Sequence, residues 1–382
     1  MPNPVFVGSA FVAQYPDGGG NFWVPLQYLL GLRDLGHDAW WLEYLWTRGD
    51  AARDRAYIDT FLRRVRELGV ADRVTLVYFA TGTRNDPPGP AEHFGLTAAE
   101  LAGRQRDGLL LNLAHSLTAP LREPFARTVL YDLDPGPFQI WALEWDMGVG
   151  RHDVHVTIGQ HLGTPDSPVP LGDVHWERVW PAVHLPSWPL QPTLGPAEGA
   201  YTTVTQWWNA QYAYLGDETY DCNKRLGFLP LMPLPERAGL PIEIAANLHV
   251  GETEDRALLA RHGWRLVDPG VVAGTPQDFR RYVQTSRGEV SAAKPAYVKA
   301  RSGWVSDRTT CYLASGRPCV VEATGAELHL PASAGLRFFR TLDEAALSLR
   351  AVEADYAASC RAARTLAEEV FATRVVVPAL LR

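Results

Sequence analysis

Ser306, Asp307 and Arg308 stand directly before a short apolar run, "TTCYLA", that ends at Gly316-Arg317-Pro318. Ser306 is a good helix N-cap, Gly316 suits a left-handed C-terminal residue, and Pro318 stops the helix. The spacing predicts a helix of roughly three turns. Unpaired N–H groups in its first turn, together with the helix dipole, favour an anion. Arg308 can add a two-pronged bond to a phosphate oxygen. Ser302-Gly303, just upstream, permits close backbone approach. Before it, "SRGEVSAAK" concentrates Arg287, Glu289 and Lys294 in a loop-like segment. Lysine occurs only at positions 224, 294 and 299, so each one marks a place to look. Read blandly, the same stretch is a capped helix with a surface arginine and a solvated loop.

Two further clusters carry candidate chemistry. Asp17-Gly18-Gly19-Gly20 precedes a helix for which Asn21 is the expected N-cap, with Pro25 in the first turn. Asp17 is either a general base for a hydroxyl, a group that orients one, or a turn aspartate. Asp132 and Asp134, two apart at a strand end, share a face. They can meet a ligand, build an Asp-Pro-Gly turn, or hold Mn²⁺ or Mg²⁺ on a diphosphate. The expectation is no metal. His152, His155 and His161 are badly aligned for one and read as structural or ligand-side histidines.

Apolar strands alternating with helices are needed to position these groups. "VFVGS", "AWWLEYLW", "RVTLVYF", "GLLLNLA", "TVLYDLD" and "DVHVTIG" read as strands of a parallel sheet, with helices at 50–68 and 97–105 between them. Residues 181–200 hold five prolines and two glycines and read as a linker. The pattern then resumes with "YTTVTQW", "IEIAAN", "CVVEA" and "LRFF", helices at 252–262 and 275–286, and a helical stretch over 342–371. The predicted fold is α/β, with two Rossmann-like domains facing across a cleft. Residues 1–190 form the first and 201–355 the second, while 356–382 form a helical tail able to pack back on the first.

The 382 residues carry a net charge of −7 without a polybasic run, which argues against nucleic acid and membrane surfaces as partners. No apolar stretch is long enough to span a bilayer, and "MPNPVFVGSAFV" lacks the basic start of a signal peptide. Four cysteines without metal-type spacing suggest free thiols in a reducing cytoplasm. Oligomeric state is not readable.

The block "SRGEVSAAKPAYVKARSGWVSDRTTCYLASGRPCVVEATG" resembles the donor-domain signature of a family of bacterial glycosyltransferases with two Rossmann-like domains, the GT-B architecture. "YDLDPGPFQ", "VTIGQHLGTPD" and "FATRVVVPALL" extend the resemblance over most of the chain, and Glu322-Ala323 departs from it. The resemblance implies transfer of a sugar from a nucleoside diphosphate sugar to a small-molecule acceptor, with no bound cofactor. It implies donor contacts from Gly18, Gly19, Gly20, Thr203, Arg287, Glu289, Lys294, Ser302, Gly303, Ser306, Asp307, Arg308, Thr324 and Gly325. Catalysis would fall to Asp17 and Arg308, and acceptor contacts to Asp132 and Asp134. Sugar-nucleotide epimerisation or hydrolysis, a metal-dependent transferase and a non-catalytic sugar-nucleotide binder are the alternatives.

Overall fold

A computed structural model describes residues 3–86, 89–196 and 198–381. Eight strands form the first sheet: β1 (Val5–Ser9), β2 (Ala39–Trp46), β3 (Val74–Phe79), β4 (Ala91–Phe94), β5 (Leu109–Leu113), β6 (Arg127–Asp132), β7 (Val154–Thr157) and β8 (Trp176–Arg178). Their order is β4-β3-β2-β1-β5-β6-β7-β8, parallel throughout except for β4. β1, β2 and β3 read as nearly continuous apolar runs because helices cover both faces of the sheet.

The second half opens with β9 (Tyr201–Thr205) and a hairpin, β10 (Tyr212–Leu215) and β11 (Glu218–Asp221). Five more strands follow: β12 (Ile242–Ala246), β13 (Arg265–Val267), β14 (Gly288–Ser291), β15 (Cys319–Glu322) and β16 (Leu336–Phe339). With β9 they make a parallel sheet ordered β13-β12-β9-β14-β15-β16. Both sheets reverse direction beside their first strand, the arrangement of a Rossmann-like fold. Such sheets open a crevice at the carboxyl ends of the strands flanking the reversal. The first-half crevice lies after β1, the second-half crevice after β9.

The segment 181–200 is not a loose connection. Trp188 is fully buried, packed against Trp23 and Phe279 from the two halves. The chain crosses back near its end: Val183 N donates to Phe371 O at 2.7 Å, and Thr373 N donates to Val183 O at 3.0 Å. The last helix, Thr373–Leu380, lies against the helix Gly19–Asp34, where a Cβ at Gly31 would run into Thr373. The stretch expected as one helix over 342–371 is interrupted. Leu342–Ala354 ends at Asp355, whose carboxylate caps a second helix, Tyr356–Leu366.

The first glycine loop also differs from expectation. Its helix begins at Gly19, so Asn21 lies inside the first turn and Pro25 inside the second. Gly19 N donates to Ala273 O at 3.0 Å, and a Cβ at Gly19 would collide with the Ala273 and Thr275 carbonyls. The glycines let this helix tip touch the second half of the protein itself. Trp23 Nε1 on Pro276 O (2.9 Å) and Arg64 Nη2 on Gly274 O (2.8 Å) complete the seam.

Candidate active site between the two halves

The two crevices face each other across one cavity of about 1040 Å³. The first half contributes Gln14 to Asn21, Trp23 and Gln27. The second contributes Val204 to Gln206 after β9, Lys224, Asn247, Lys294 and Ser306 to Arg308.

The helix Asp307–Ala314 points its N-terminus into this space. Ser306 Oγ accepts from Arg308 N at 3.2 Å, which confirms the cap, and Gly316 takes a φ of +72° just beyond the helix. The helix is eight residues long, shorter than the three turns expected. Burial raises the pKa of Asp307 to about 6, so this carboxyl changes charge near the physiological range.

Arg308 is held by the protein rather than left open. Nε donates to Glu289 Oε1 (2.7 Å), Nη1 to Val204 O (2.8 Å) and Nη2 to Ser291 Oγ (2.7 Å). Glu289 is completely buried and does not line the cavity. Its part is to fix Arg308 at the wall. The expected fork onto a phosphate is corrected by these bonds: three of five guanidinium hydrogens are taken, which leaves a rigid positive charge with two spare donors.

Lys224, one of the three scarce lysines of the sequence, adds a second basic group to this wall. It is half-buried on the cavity wall, with Nζ 5.6 Å from the Trp304 ring centroid. Among the described residues no carboxylate or hydrogen-bond acceptor pairs with it. Burial first, then the nearby charges of Arg308 and Lys294, push its proton affinity well below the ordinary lysine range. Lys294 differs. Burial works against its charge, but the Asp134 carboxylate outweighs that and holds it protonated. Asp134 belongs to the first half and also accepts from Tyr297 Oη, so this ion pair ties the halves together at the cavity's inner end.

Several expected contacts lie elsewhere. Arg287 is buried against Glu353 (Nη2 to Oε2, 2.6 Å) and the carbonyls of Gly195 and Glu198, and it holds the chain crossing. Thr203 is buried within the sheet, 3.5 Å from Ser291 Oγ. Ser302, Gly303, Thr324 and Gly325 form a second seam: His161 N donates to Ser302 O, Gly303 N to Thr324 O, and Gly325 abuts His161. None of these residues lines the cavity. Asp132 holds the turn after β6 and, with Asp134, lines a second, smaller cavity. It accepts from Gln139 Nε2 (2.8 Å), Thr157 Oγ1 (2.7 Å) and Asp134 N (2.8 Å), and burial raises its pKa to about 6. Asp17 is exposed at the cavity rim. The three histidines go separate ways: His152 to Asn112, His155 to Val149 O and His161 to His329.

No protein-family model matches the chain, and no curated protein matches it in sequence. Solved structures do match in shape. An α-glucosyltransferase in complex with UDP and DNA containing an HMU base superposes with a TM-score of 0.56 at 10% identity, over 100% of both chains. HepE from Anabaena in complex with UDP-glucose gives 0.55 at 12% identity, over 99% of this chain and 97% of the other. Sucrose-phosphate synthase from Thermosynechococcus elongatus gives 0.52 at 11% identity, over 99% and 96%. The chain has the fold of these proteins from end to end: two Rossmann-like halves facing across a cleft, the GT-B architecture.

Proposed function

We propose that the protein is a glycosyltransferase that moves a sugar from a nucleoside diphosphate sugar to a small-molecule acceptor without a metal ion. One observation carries the reading: a cleft where a helix N-terminus, a fixed arginine and an unpaired lysine converge on one space. That set suits a diphosphate, whose charge replaces the carboxylate Lys224 lacks. The superposed structures that hold UDP or UDP-glucose support the same ligand class. In this reading residues 201–355 hold the donor, residues 1–190 the acceptor, and the tail from 356 ties the two together. The net charge of −7 favours a small acceptor over nucleic acid. Four buried, unbridged cysteines fit a cytoplasmic setting.

The reaction is a displacement. The bond from the sugar's anomeric carbon to the diphosphate oxygen breaks, and its electron pair leaves with the diphosphate. The acceptor oxygen forms the new bond, and its proton passes to a base, for which Asp17 at the rim is the candidate. Lys224, Arg308 and the helix N-terminus oppose the negative charge growing on the departing diphosphate, so they favour the transition state over the ground state.

The test is a melting screen against nucleoside diphosphate sugars, with and without EDTA. One donor should raise the melting temperature, EDTA should not abolish the effect, and Lys224→Met should weaken donor affinity roughly tenfold. A Lys224→Met protein that binds donor like the parent would remove the diphosphate from this wall.

A further inference from the structure

A second cavity, of about 560 Å³, lies on the far side of the Lys294–Asp134 pair. The helix Pro137–Glu144 supplies Phe138 and Trp141, the turn after it Trp145, and the hairpin of the second half Tyr212 and Tyr214. Trp141 Nε1 donates to Tyr212 O at 2.8 Å, which pins the hairpin across the cavity. Trp145 and Tyr214 remain more than half exposed, at 57% and 53%. Aromatic faces left in water at the mouth of a cavity are an unused stacking surface.

Arg84 and His115 line the same cavity, as do Asp132 and Asp134, whose carboxylates are engaged by Gln139, Thr157, Lys294 and Tyr297. Arg84 Nη2 lies 2.9 Å from His115 Nδ1, and a guanidinium can only donate, so His115 is neutral there with its proton on Nε2. Burial, then Arg84, lowers the proton affinity of His115 to about 4, which keeps it neutral. His115 and Ala114 both adopt left-handed φ, +52° and +49°, and the His115 ring stands 6.0 Å from Phe138. Among the described residues no carboxylate pairs with Arg84, and its Nε is buried without a partner. A charge so placed leaves a counter-ion to be supplied from outside.

From this arrangement, and resting on the transferase reading, we infer that the second cavity is the acceptor site and that the acceptor is a planar ring bearing an acid group. The ring stacks among Trp141, Trp145, Tyr212 and Tyr214, and the acid meets Arg84. A hydroxyl at the other end of the ring points past the Lys294–Asp134 partition into the larger cavity, the side on which the donor and Asp17 lie.

Calorimetric titration of the whole protein with 4-hydroxybenzoate and 4-hydroxybenzamide, without nucleotide, tests this. The acid should bind roughly tenfold more tightly than the amide. Arg84→Gln should remove that preference, Arg84→Lys should keep much of it, and Trp145→Ala should weaken both probes alike. Equal affinity of acid and amide for the parent protein, or a preference that survives Arg84→Gln, overturns the inference. Melting shifts by nucleotide sugars read the donor site separately. A parent that responds to donor yet does not distinguish acid from amide sinks this inference and leaves the transferase reading standing. Acid preference without any donor response supports the acid site and sinks the transfer.

Discussion

Arg308 and Arg287 are near twins by their immediate surroundings. Each sits deep in the second half, each donates to one glutamate, and each reaches backbone carbonyl or hydroxyl oxygens. Yet Arg308 closes the wall of the large cavity, while Arg287 clamps the crossing between the halves to the helix carrying Glu353. An ion pair therefore says little about function by itself. What separates the two is the space beside the pair: solvent and ligand can reach one guanidinium and only protein surrounds the other.

Substitution separates them further. Arg308→Met should cut turnover about a hundredfold, since a fixed charge at the leaving group is lost. It should also lower stability by about 3–5 kcal/mol, because Glu289 is left buried and unpaired. Arg308→Met with Glu289→Gln should recover most of the melting temperature and none of the turnover. Recovery of both would make Arg308 a structural strut like Arg287. Arg287→Met should lower stability by about 2–4 kcal/mol, somewhat less because Glu353 retains contact with water. Its donor affinity, measured below the melting range, should stay within about twofold of the parent. A large loss of affinity would bring Arg287 back into the site.

The smallest effect concerns pH. Asp307, with a pKa near 6, is mostly neutral below that pH and repels a diphosphate above it. Donor affinity should therefore fall several-fold as pH rises from about 5 to 8, and Asp307→Asn should flatten the profile. The folded state holds this proton more tightly than the unfolded chain, where the pKa is about 3.9. Its stabilising contribution is thus complete below about pH 4 and disappears as pH rises through about 6. A flat parent profile would separate Asp307 from the ligand.

Much of the scaffold was legible because burial on both faces leaves an unmistakable signature. "AWWLEYLW" and "VTLVYF" admit no reading except interior strands. The edges were not legible. β4 ("AEHF") and β8 ("WER") are short and polar because one side of each meets water. The tail looked like one helix because alanine and leucine keep the same spacing across Asp355, where only a cap marks the break. On the cavity wall, Ser306, Asp307 and Arg308 were marked by a helix start that is written locally, and Lys294 by the scarcity of lysine. Arg287 was misplaced because its partner, Glu353, is 66 residues away and local spacing carries no trace of it. Lys224 was nearly missed for the opposite reason. What matters about it is a partner it lacks, and a sequence does not display absences of that kind.

The chain passes between its halves twice, and the two passages run side by side, stitched at Val183 and Ala372 by a parallel bridge. A single tether would let one half swivel freely over the other. A doubled one resists rotation about its own length and leaves flexing across it as the easy movement. The residues of the two halves that face each other across the cleft are thereby held in one register.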